Sequence, residues 1–426
     1  MALESFTGTF AAPTSVNATF AVTGLGFEPA LIIFFPTNRT TNGIDGASDT
    51  SIGVGAMTAT GQWYNGFGNT DAAATSSIDY SRHTGRCIIV NDGSGTSLLE
   101  AAFVSMDTDG FTLDYSKVSG SAVKVSFMAF GGTNCDFEVG TTTITSAGGT
   151  GTVATTTAFQ PKGYLLSAVA QTTSLTVLAA NLTAQFSFGG GTAATEEFAV
   201  ALYDEHAVNR TDTGRVMSTT SVLQMLDAGT SVDVSAEHSS LNATDFTINV
   251  TNAVTSDTAF MWIAFGGSGL DCFAGNFTHA ITVATQAVTV ETDFSPQSII
   301  FASTDQLISD VAANHAILNL GLTTGVSSTD DIQNLTSAHH DNRADAEPFT
   351  NLDNTDILSE VDTQTGIATA AYNVDSLDTN GFTLGWTSQA AALNISTYFA
   401  LKSIAGGAGP VVPVIYEHHQ LAGGLQ

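Results

Sequence analysis

The strongest constraint on the fold of this chain is an internal repeat. A pattern of phenylalanine, one further residue, proline and then an apolar stretch occurs three times, and the three prolines lie 132 and 135 residues apart. Proline suits the start of a strand, where the sheet loses no ladder hydrogen bond. Three similar strand starts at nearly equal spacing indicate tandem repetition of one structural unit. The copies are Phe27–Pro29 before Ala30–Phe35, Phe159–Pro161 before Lys162–Leu166, and Phe294–Pro296 before Gln297–Phe301.

Two later landmarks recur at the same spacing. A turn precedes Phe111, Phe246 and Phe382, which lie 135 and 136 residues apart. An aromatic motif then closes each copy, and its alanine follows the landmark phenylalanine by 18 residues in all three. We expect the closing aromatic residue to pack beneath the landmark phenylalanine. The repeat predicts homologous domains at residues 1–132, 133–267 and 268–403, followed by a tail at residues 404–426. The closing motifs are Phe127–Gly132, Trp262–Gly267 and Tyr398–Ser403.

The landmark strands alternate with a period of two. Phe111, Leu113 and Tyr115 are separated by polar residues, as in a strand with one face on a core. Only 12% of residues are Asp, Glu, Lys or Arg, and the abundant Thr, Ser, Asn and Gly are typical of pleated strands and turns. The predicted fold class is all-β, with three tandem homologous antiparallel β-sandwich domains of the jelly-roll or lectin-like type and an extended C-terminal tail. Short helical turns are expected near Glu196–Asp204 and Thr220–Asp227.

Four polar segments between the landmarks are predicted to be long loops. They are rich in Asn, Asp, Gly, Ser and Thr and show little apolar periodicity. Recognition usually resides in such loops, whereas the sandwich cores serve packing. Trp63, Tyr64 and Tyr203 are therefore candidates for contact with a glycan. The segments are Thr37–Ser51, Gly61–Thr84, Tyr203–Arg215 and Ser327–Asp356.

The charge balance argues against several classes of partner. Lys and Arg total 10 against 40 Asp and Glu, a formal net charge of −30, and the cations are scattered singly. Nucleic acids and anionic membranes both attract clustered cations, so neither partner is expected. Ala30–Phe35 is too short an apolar stretch to span a bilayer, and no membrane insertion is expected. Met1–Phe20 lacks the features of a secretory signal, which predicts a soluble product of a reducing cytoplasm.

No residue pattern assigns a catalytic, metal or cofactor site, and binding residues stay unassigned. The sequence has no nucleophile elbow, zinc-protease or phosphate-loop motif, so we predict no enzyme activity. Asp107–Gly110 has part of a calcium-loop pattern but is predicted to be a hairpin turn, and Asp330–Asp331 is assigned to a solvated loop. Neighbouring residues of an extended chain point to opposite faces, so no metal site is expected at His339–Asp341 or at His418–His419. A symmetric oligomer would bring His418 or His419 from several tails together. Three cysteines without zinc spacing are expected to be free, mostly buried thiols, namely Cys87, Cys135 and Cys272.

The C-terminal tail has two interpretations. Ser403–Pro410 has the glycine and proline content of a linker. Val411–Tyr416 is apolar enough to add as a strand to the sheet edge of another subunit. The alternative is a frayed terminus.

The repeated unit resembles repeats in structural proteins of tailed bacteriophages and related viruses, particularly head-decoration, spike and fibre components. Its Phe-x-Pro start, its later Phe-Thr strand and the closing Trp262-Ile263-Ala264 are also similar to H-type lectin-like domains, small antiparallel sandwiches that often trimerise. The other two copies close with Phe-Met-Ala and Tyr-Phe-Ala. The resemblance implies a non-enzymatic protein of the virion exterior that is assembled in the host cytoplasm. Its expected partners are copies of itself, as a homo-oligomer, and other capsid or tail proteins.

Two other functions remain open at the level of sequence. A glycan-binding adhesin for host attachment fits the lectin-like similarity, with a host-surface glycan as partner. A secreted or surface-layer protein, or a hydrolase whose carboxylates come from distant positions, fits less well. An acidic surface repels packaged DNA, which favours an exterior position on a virion.

Overall fold

The computed structural model describes residues 3–16, 19–46, 49–169, 183–227, 231–252, 256–281, 284–325, 332–388 and 393–404. Within these ranges the chain is almost entirely strand, and the one helical element is a 3-10 turn at Ser146–Gly148. This confirms the predicted all-β class. The predicted tail strand Val411–Tyr416, His418–His419 and Asp330–Asp331 lie outside the described residues.

The strand bounds fall into three runs along the chain. The first run is β1 Glu4–Ala11, β2 Thr19–Thr23, β3 Pro29–Pro36, β4 Gly43–Asp45, β5 Thr50–Thr58, β6 Gln62–Asn69, β7 Ile78–His83, β8 Ile88–Asn91, β9 Ser97–Asp107, β10 Gly110–Lys117 and β11 Lys124–Gly131. The second is β12 Asp136–Ile144, β13 Gly151–Thr156, β14 Pro161–Val169, β15 Ala184–Ala193, β16 Glu196–Asp204, β17 Thr213–Ser218, β18 Leu223–Leu226, β19 Val232–Leu241, β20 Asp245–Asn252 and β21 Thr258–Gly266. The third is β22 Leu270–Thr278, β23 Thr285–Thr289, β24 Ser298–Gln306, β25 Ala313–Asn314, β26 Ala316–Thr323, β27 Ile332–His339, β28 Phe349–Asp353, β29 Leu358–Val361, β30 Ala368–Asp378, β31 Gly381–Ser388 and β32 Ile395–Ser403.

These strands form six antiparallel sheets, which we describe as three sheet pairs of one large and one four-stranded sheet. The strand order is the same in each pair. The first pair is β1-β11-β3-β5-β6-β7 with β2-β10-β9-β8. The second is β12-β21-β14-β15-β16-β17 with β13-β20-β19-β18, and the third is β22-β32-β24-β26-β27-β28 with β23-β31-β30-β29.

Glycine is required at the turn before the landmark strand. A Cβ on Gly110 would lie 1.9 Å from the carbonyl oxygen of Val22 on the neighbouring strand. A Cβ on Gly381, at the corresponding place in the third pair, would lie 2.0 Å from the carbonyl oxygen of Val288. These glycines let β2 and β23 approach the β9-β10 and β30-β31 hairpins closely.

Each sheet pair encloses its own apolar interior. The ring centroids of the landmark phenylalanine and the closing aromatic residue lie 5.3 Å apart for Phe111 and Phe127. The corresponding distances are 5.9 Å in the second pair and 5.2 Å in the third. All three contacts are edge-on, a favourable geometry for aromatic rings. The predicted packing of the closing aromatic residue is therefore confirmed.

A further core lies where the three large sheets meet. In β3, Ile32 and Phe34 face the interior of the first sheet pair, whereas Ile33 and Phe35 face this central core. The central core contains residues of all three large sheets. Aromatic rings cross between them, with centroid distances of 6.5 Å for Phe35–Phe188, 5.9 Å for Phe67–Phe186 and 5.1 Å for Phe265–Phe399.

Burial on both faces explains two wrong predictions. Gly61–Thr84 and Ser327–Asp356, predicted as loops, contain β6 with β7 and β27 with β28. Their strands are almost wholly buried between two apolar layers, so they lack the alternation of a half-exposed strand. Their many Asn, Ser and Thr side chains form internal hydrogen bonds; for example, Asn65 Nδ2 donates to the carbonyl oxygen of Ser167 at 2.9 Å.

The predicted helical turns are also wrong, and one predicted loop is partly strand. Glu196–Asp204 is the buried strand β16, and Thr220–Asp227 contains strand β18. Both strands run through apolar interior, and their burial in sheets overrides local helix propensity. Thr37–Ser51 contains the short strand β4 and the start of β5, whereas Tyr203–Arg215 is mostly loop.

The sheet pairs exchange backbone as well as side-chain contacts. Strand β25 of the third run adds to β17 of the second large sheet, and β4 of the first run adds to β28 of the third large sheet. The corresponding segment of the second run, residues 170–182, lies outside the described residues. The exchange continues in the turns that follow β6, β16 and β27. Main-chain hydrogen bonds cross the boundaries between sheet pairs there. They run from the N–H of Ala72 to the carbonyl oxygen of Ala346 at 2.7 Å, from Ala207 to Ser76 at 2.9 Å, and from Asn342 to Thr211 at 2.6 Å.

Candidate functional site

A buried polar triad, which we call the axial triad, lies where the three large sheets converge. Asn69, Asp204 and His339 are the last residues of β6, β16 and β27 and lie 135 residues apart. Asn69 Nδ2 donates to Asp204 Oδ2 at 2.7 Å, and His339 Nδ1 lies 2.5 Å from the same oxygen. Ser337 Oγ lies 3.0 Å from His339 Nε2. Burial raises the pKa of Asp204. One residue from each sheet pair thus closes a single hydrogen-bonded contact on a threefold-like axis.

A second polar group, which we call the third-pair cluster, lies inside the third sheet pair only. His279 Nδ1 lies 2.8 Å from Glu360 Oε1, and Asn394 Nδ2 donates to the same oxygen at 2.8 Å. His279 Nε2 lies 2.7 Å from Ser396 Oγ, which accepts a hydrogen bond from Tyr372 Oη at 2.9 Å. All five residues are buried. Hydrogen bonds thus join the phenol, the serine hydroxyl group and the imidazole in series, and the other imidazole nitrogen lies against the Glu360 carboxyl group.

The strand registers show what the other two sheet pairs have at these positions. In the second pair the places of His279, Glu360, Tyr372 and Ser396 are taken by Ile144, Met225, Ala236 and Phe260. In the first pair they are taken by Ala12, Val90, Ala101 and Val125. The fifth position is Asn394, Thr258 and Val123. The third-pair cluster therefore replaces an apolar interior in one of three similar bodies.

The order of Ser396, His279 and Glu360 matches that of a nucleophile, a base and an orienting carboxylate. However, Ser396 is 0% exposed, within the interior of the third sheet pair, so an acyl substrate does not reach its hydroxyl group. Tyr372 also donates a hydrogen bond to that oxygen, which lowers its nucleophilicity, and burial raises the pKa of Tyr372 well above its usual value. The geometry supports a fixed polar relay and not an acyl-transfer site.

Two clefts lie between neighbouring sheet pairs. The larger, of about 780 Å³, separates the second and third pairs. The smaller, of about 460 Å³, separates the first and second pairs at the corresponding place. Phe273 of the larger cleft corresponds by register to Glu138 of the smaller one, so only the larger presents an aromatic ring there. The larger cleft is lined by Phe159, Lys162, Thr192, Glu196, Asp271, Phe273 and Glu291, among others.

The prediction that Trp63, Tyr64 and Tyr203 contact a glycan from surface loops is wrong. Trp63 and Tyr203 are 2% exposed and Tyr64 is 0% exposed, all in strands and not in loops. Trp63 Nε1 donates to the carbonyl oxygen of Trp262 at 3.0 Å, across the boundary between two sheet pairs. Trp63 packs in the central core between the large sheets, whereas Tyr203 packs with Leu226 of the four-stranded sheet inside the second pair. A surface ligand does not reach any of the three side chains.

The predicted hairpin at Asp107–Gly110 is confirmed. Strands β9 and β10 pair across it, and the Asp109 carboxylate accepts hydrogen bonds from the N–H groups of Gly24 and Gly26 at 3.1 and 2.6 Å. Asp107 accepts from Ser105 and Thr112. Both carboxylates therefore fasten the hairpin and its neighbouring strand.

The histidine pair at positions 339 and 340 does not converge on one point. His339 belongs to the axial triad, whereas the ring of His340 lies 4.4 Å from that of His315. Within the described residues, no group of three or more His, Cys, Asp or Glu side chains has the geometry to hold a metal ion.

None of the three cysteines forms a disulfide, as predicted. Cys87 and Cys272 are buried and Cys135 is half-buried. Burial raises the pKa of Cys135 to about 11, so this thiol carries little thiolate at neutral pH. Low thiolate content makes the residue a weak nucleophile.

Sequence reasoning missed both polar groups. The axial triad had a usable signal, because its members share the repeat spacing. The three copies have Asn, Asp and His at this position, and these side chains can form hydrogen bonds with one another. The third-pair cluster had a weaker signal. Aligning the three copies shows polar residues at all five positions only in the third, but the segments that hold His279 and Glu360 carry no landmark.

The chain matches no known protein-family model and no curated protein. In the part of the chain that the structure describes, no helix has the length and apolar character needed to cross a bilayer.

Proposed function

We propose that this protein is a non-enzymatic structural subunit on the exterior of a tailed-virus particle, as a head decoration, spike or fibre component. Its sheet pairs are taken as three homologous β-sandwich domains of the jelly-roll or lectin-like type, at residues 1–132, 133–267 and 268–403, with the tail at 404–426. The observation that carries the proposal is the convergence of three similar bodies, within one chain, on a shared buried core.

A body with three similar outer surfaces about one axis suits a position of local threefold symmetry. Closed symmetric contacts of this kind are common in assemblies. Here the contacts are made within one polypeptide, through the axial triad and the exchanged strands. This arrangement leaves the four-stranded sheets for contact with other copies or with capsid and tail proteins, and we assign the same role to the tail.

The charge supports an outer position. Forty acidic residues against ten basic ones give the chain a formal net charge of −30. A surface of this sign repels nucleic acid and keeps a protein soluble at high local density. An inner capsid lining, which faces packaged DNA, does not fit.

The decisive experiment localises the chain on particles. Particles are purified from a producing host, labelled with antibody against this protein, and imaged by electron microscopy. We expect label on the outer surface of head or tail, and co-purification of the chain with intact particles through a density gradient. Recovery of the chain only from the particle-free fraction, with unlabelled particles, overturns the proposal.

The larger cleft favours glycan binding as a second candidate function. Carbohydrate sites combine an aromatic face with polar groups. Phe159 and Phe273 are half-buried beside Thr192 and the carboxylates of Asp271 and Glu291. Binding on a glycan array should be lost in Phe273→Ala and kept in Phe137→Ala, which alters the smaller cleft. Equal binding by both variants contradicts this assignment.

A further inference from the structure

A small cleft at the junction of the second and third sheet pairs lies beside the third-pair cluster. We call it the junction cleft. It has a volume of about 230 Å³, and its polar wall contains Arg215, Asp305 and Asn394. Its mouth is apolar, because Leu307, Ile308 and Val311 are 56%, 62% and 52% exposed. The cleft therefore combines a polar wall with an exposed aliphatic mouth.

The backbone places Asp305 in the cleft at some cost. The pairing of β24 with β32 shifts between Ser303 and Gln306, so that two residues bulge out of the ladder. Asp305 has φ +52, a left-handed conformation that a non-glycine residue adopts only when its surroundings enforce it. Bulges of this kind re-aim a side chain away from the regular sheet.

Among the described residues, the Asp305 carboxyl group forms no ion pair within 4 Å, although the charge of Arg215 acts on it and lowers its pKa. One of its oxygens accepts a hydrogen bond from Asn319 Nδ2 at 2.9 Å. The nearby Arg215 guanidinium donates instead to the carbonyl oxygens of Asn314 and His315, at 2.8 and 3.0 Å, and to the main-chain oxygen of Asp305 at 3.4 Å. Burial, reinforced by Glu360, raises the pKa of Asp305 well above its usual range. The two carboxyl groups of Asp305 and Glu360 thus interact with the single guanidinium group of Arg215, and a second positive charge would balance them.

The setting limits the size and shape of such a cation. A liquid water molecule takes about 30 Å³, so the cleft has room for a ligand of only a few heavy atoms. An aliphatic chain beside the charge would cover the exposed Leu307, Ile308 and Val311. We propose that the junction cleft binds the ammonium group of a short aliphatic amine, with Asp305 as its counter-ion and these three side chains around its carbon chain.

The cleft lies beside the third-pair cluster. Asn394 connects its wall to Glu360 and hence to His279. The corresponding loop of the first run, residues 37–49, is mostly polar, and no Leu or Val occurs in it. The amine site and the third-pair cluster therefore occupy the same end of the same body.

The test uses the full chain and n-butylammonium as the probe. Methyl resonances of Leu307, Ile308 and Val311 should shift saturably on titration, and n-butanol, which has the same chain without the charge, should bind at least about tenfold more weakly. Asp305→Asn should weaken n-butylammonium binding about tenfold. Asp114→Asn, which removes the same charge from an exposed position in β10, should leave binding unchanged.

Two sources can supply this chemistry, and a second ligand separates them. A blocked tripeptide with one central lysine presents the same ammonium on a protein side chain. Binding of the peptide at the same methyl groups assigns the site to a lysine of a partner protein, whereas binding of the free amine alone assigns it to a small molecule. Absence of methyl shifts with both ligands, or equal n-butylammonium binding by the wild type and a folded Asp305→Asn variant, overturns the proposal. Because the methyl titration is made on the wild-type chain, failure of the variant to fold leaves the test decisive.

Discussion

The third sheet pair and the second have the same strand order but different interiors. The second encloses Ile144, Met225 and Phe260, whereas the third has His279, Glu360 and Ser396 at the same places. Burying polar groups is costly unless each finds a partner. The third pair meets this condition in part: Tyr372, Ser396 and His279 are hydrogen-bonded in series. His279 Nδ1 lies 2.8 Å from Glu360 Oε1 without hydrogen-bond geometry. The comparison shows that this fold does not require polar groups here.

The buried carboxyl groups of the pairs differ in the same way. In the first run, Asp79 accepts a hydrogen bond from the main-chain N–H of Gly95 at 3.0 Å. In the second run, Glu197 accepts one from the main-chain N–H of His238 at 2.5 Å. Burial raises the pKa of each to about 7. Glu360 instead faces an imidazole and an amide. Its environment is built from side chains, which makes it dependent on each of them.

The largest effect is expected from Glu360→Met, which gives the third pair the side chain of the second. His279 Nδ1 and Asn394 Nδ2 then lose their shared acceptor. Removal of one partner from a buried pair costs about 3–5 kcal/mol. We expect a loss of this size in the free energy of unfolding, measured by denaturant titration. Met225→Leu in the second pair should cost less than about 1.5 kcal/mol. Equal losses in the two variants would show that Glu360 is only a filler of space.

A smaller effect is expected from Glu197→Gln in the second pair, and it depends on pH. The pKa of Glu197 is raised from 4.5 to about 7, so the folded chain holds this proton more tightly than the unfolded chain. Stability therefore falls as pH rises from 4.5 to about 7, and the penalty persists above that range. Glu197→Gln removes a penalty of about 2–3 kcal/mol. The variant should be more stable than the wild type above pH 7 and equal to it below pH 4.5, in unfolding titrations across pH. A difference that does not change with pH contradicts the assignment.

Asp204→Asn tests the axial triad, a polar contact to which all three sheet pairs contribute. The amide keeps the shape of the carboxylate but weakens the hydrogen bonds from His339 and Asn69. Hydrogen bonds to a charged group contribute about 1.5–3 kcal/mol, and we expect a loss of about 2 kcal/mol in thermal or denaturant unfolding. The double variant Asn69→Asp with Asp204→Asn moves the carboxylate around the axis and should recover most of the loss. If the double variant is no more stable than the single one, the triad is not interchangeable about the axis.

The sequence predicted those parts of the fold that repeat with an alternating pattern. The landmark phenylalanines were placed correctly because each lies on a strand whose buried residues alternate with more exposed ones. The closing aromatic residues were placed by their equal spacing alone, because their strands are buried on both faces. Strands β6 and β27 were missed because both of their faces are buried, which removes the alternation. The clefts, the axial triad and the third-pair cluster depend on which copies meet, and spacing along one chain does not report that. Of the candidate site residues, Trp63, Tyr64 and Tyr203 were misplaced because aromatic residues in polar segments resemble exposed loop residues.

The smallest effect is expected when the whole third-pair cluster is exchanged for the interior of the second pair. The variant carries His279→Ile, Glu360→Met, Tyr372→Ala, Asn394→Thr and Ser396→Phe. Its total volume is nearly conserved, because the ring lost at position 372 returns at position 396, and volume-conserving exchanges are tolerated best. Replacement of a complete buried polar group by packed apolar residues is often neutral or stabilising. We therefore expect unfolding free energies within about 1 kcal/mol of the wild type or above it, although Glu360→Met alone is strongly destabilising. A large loss in the fivefold variant would make the cluster a source of stability. A neutral result means that stability does not explain the cluster, and that its polar residues are to be explained by the cleft beside it.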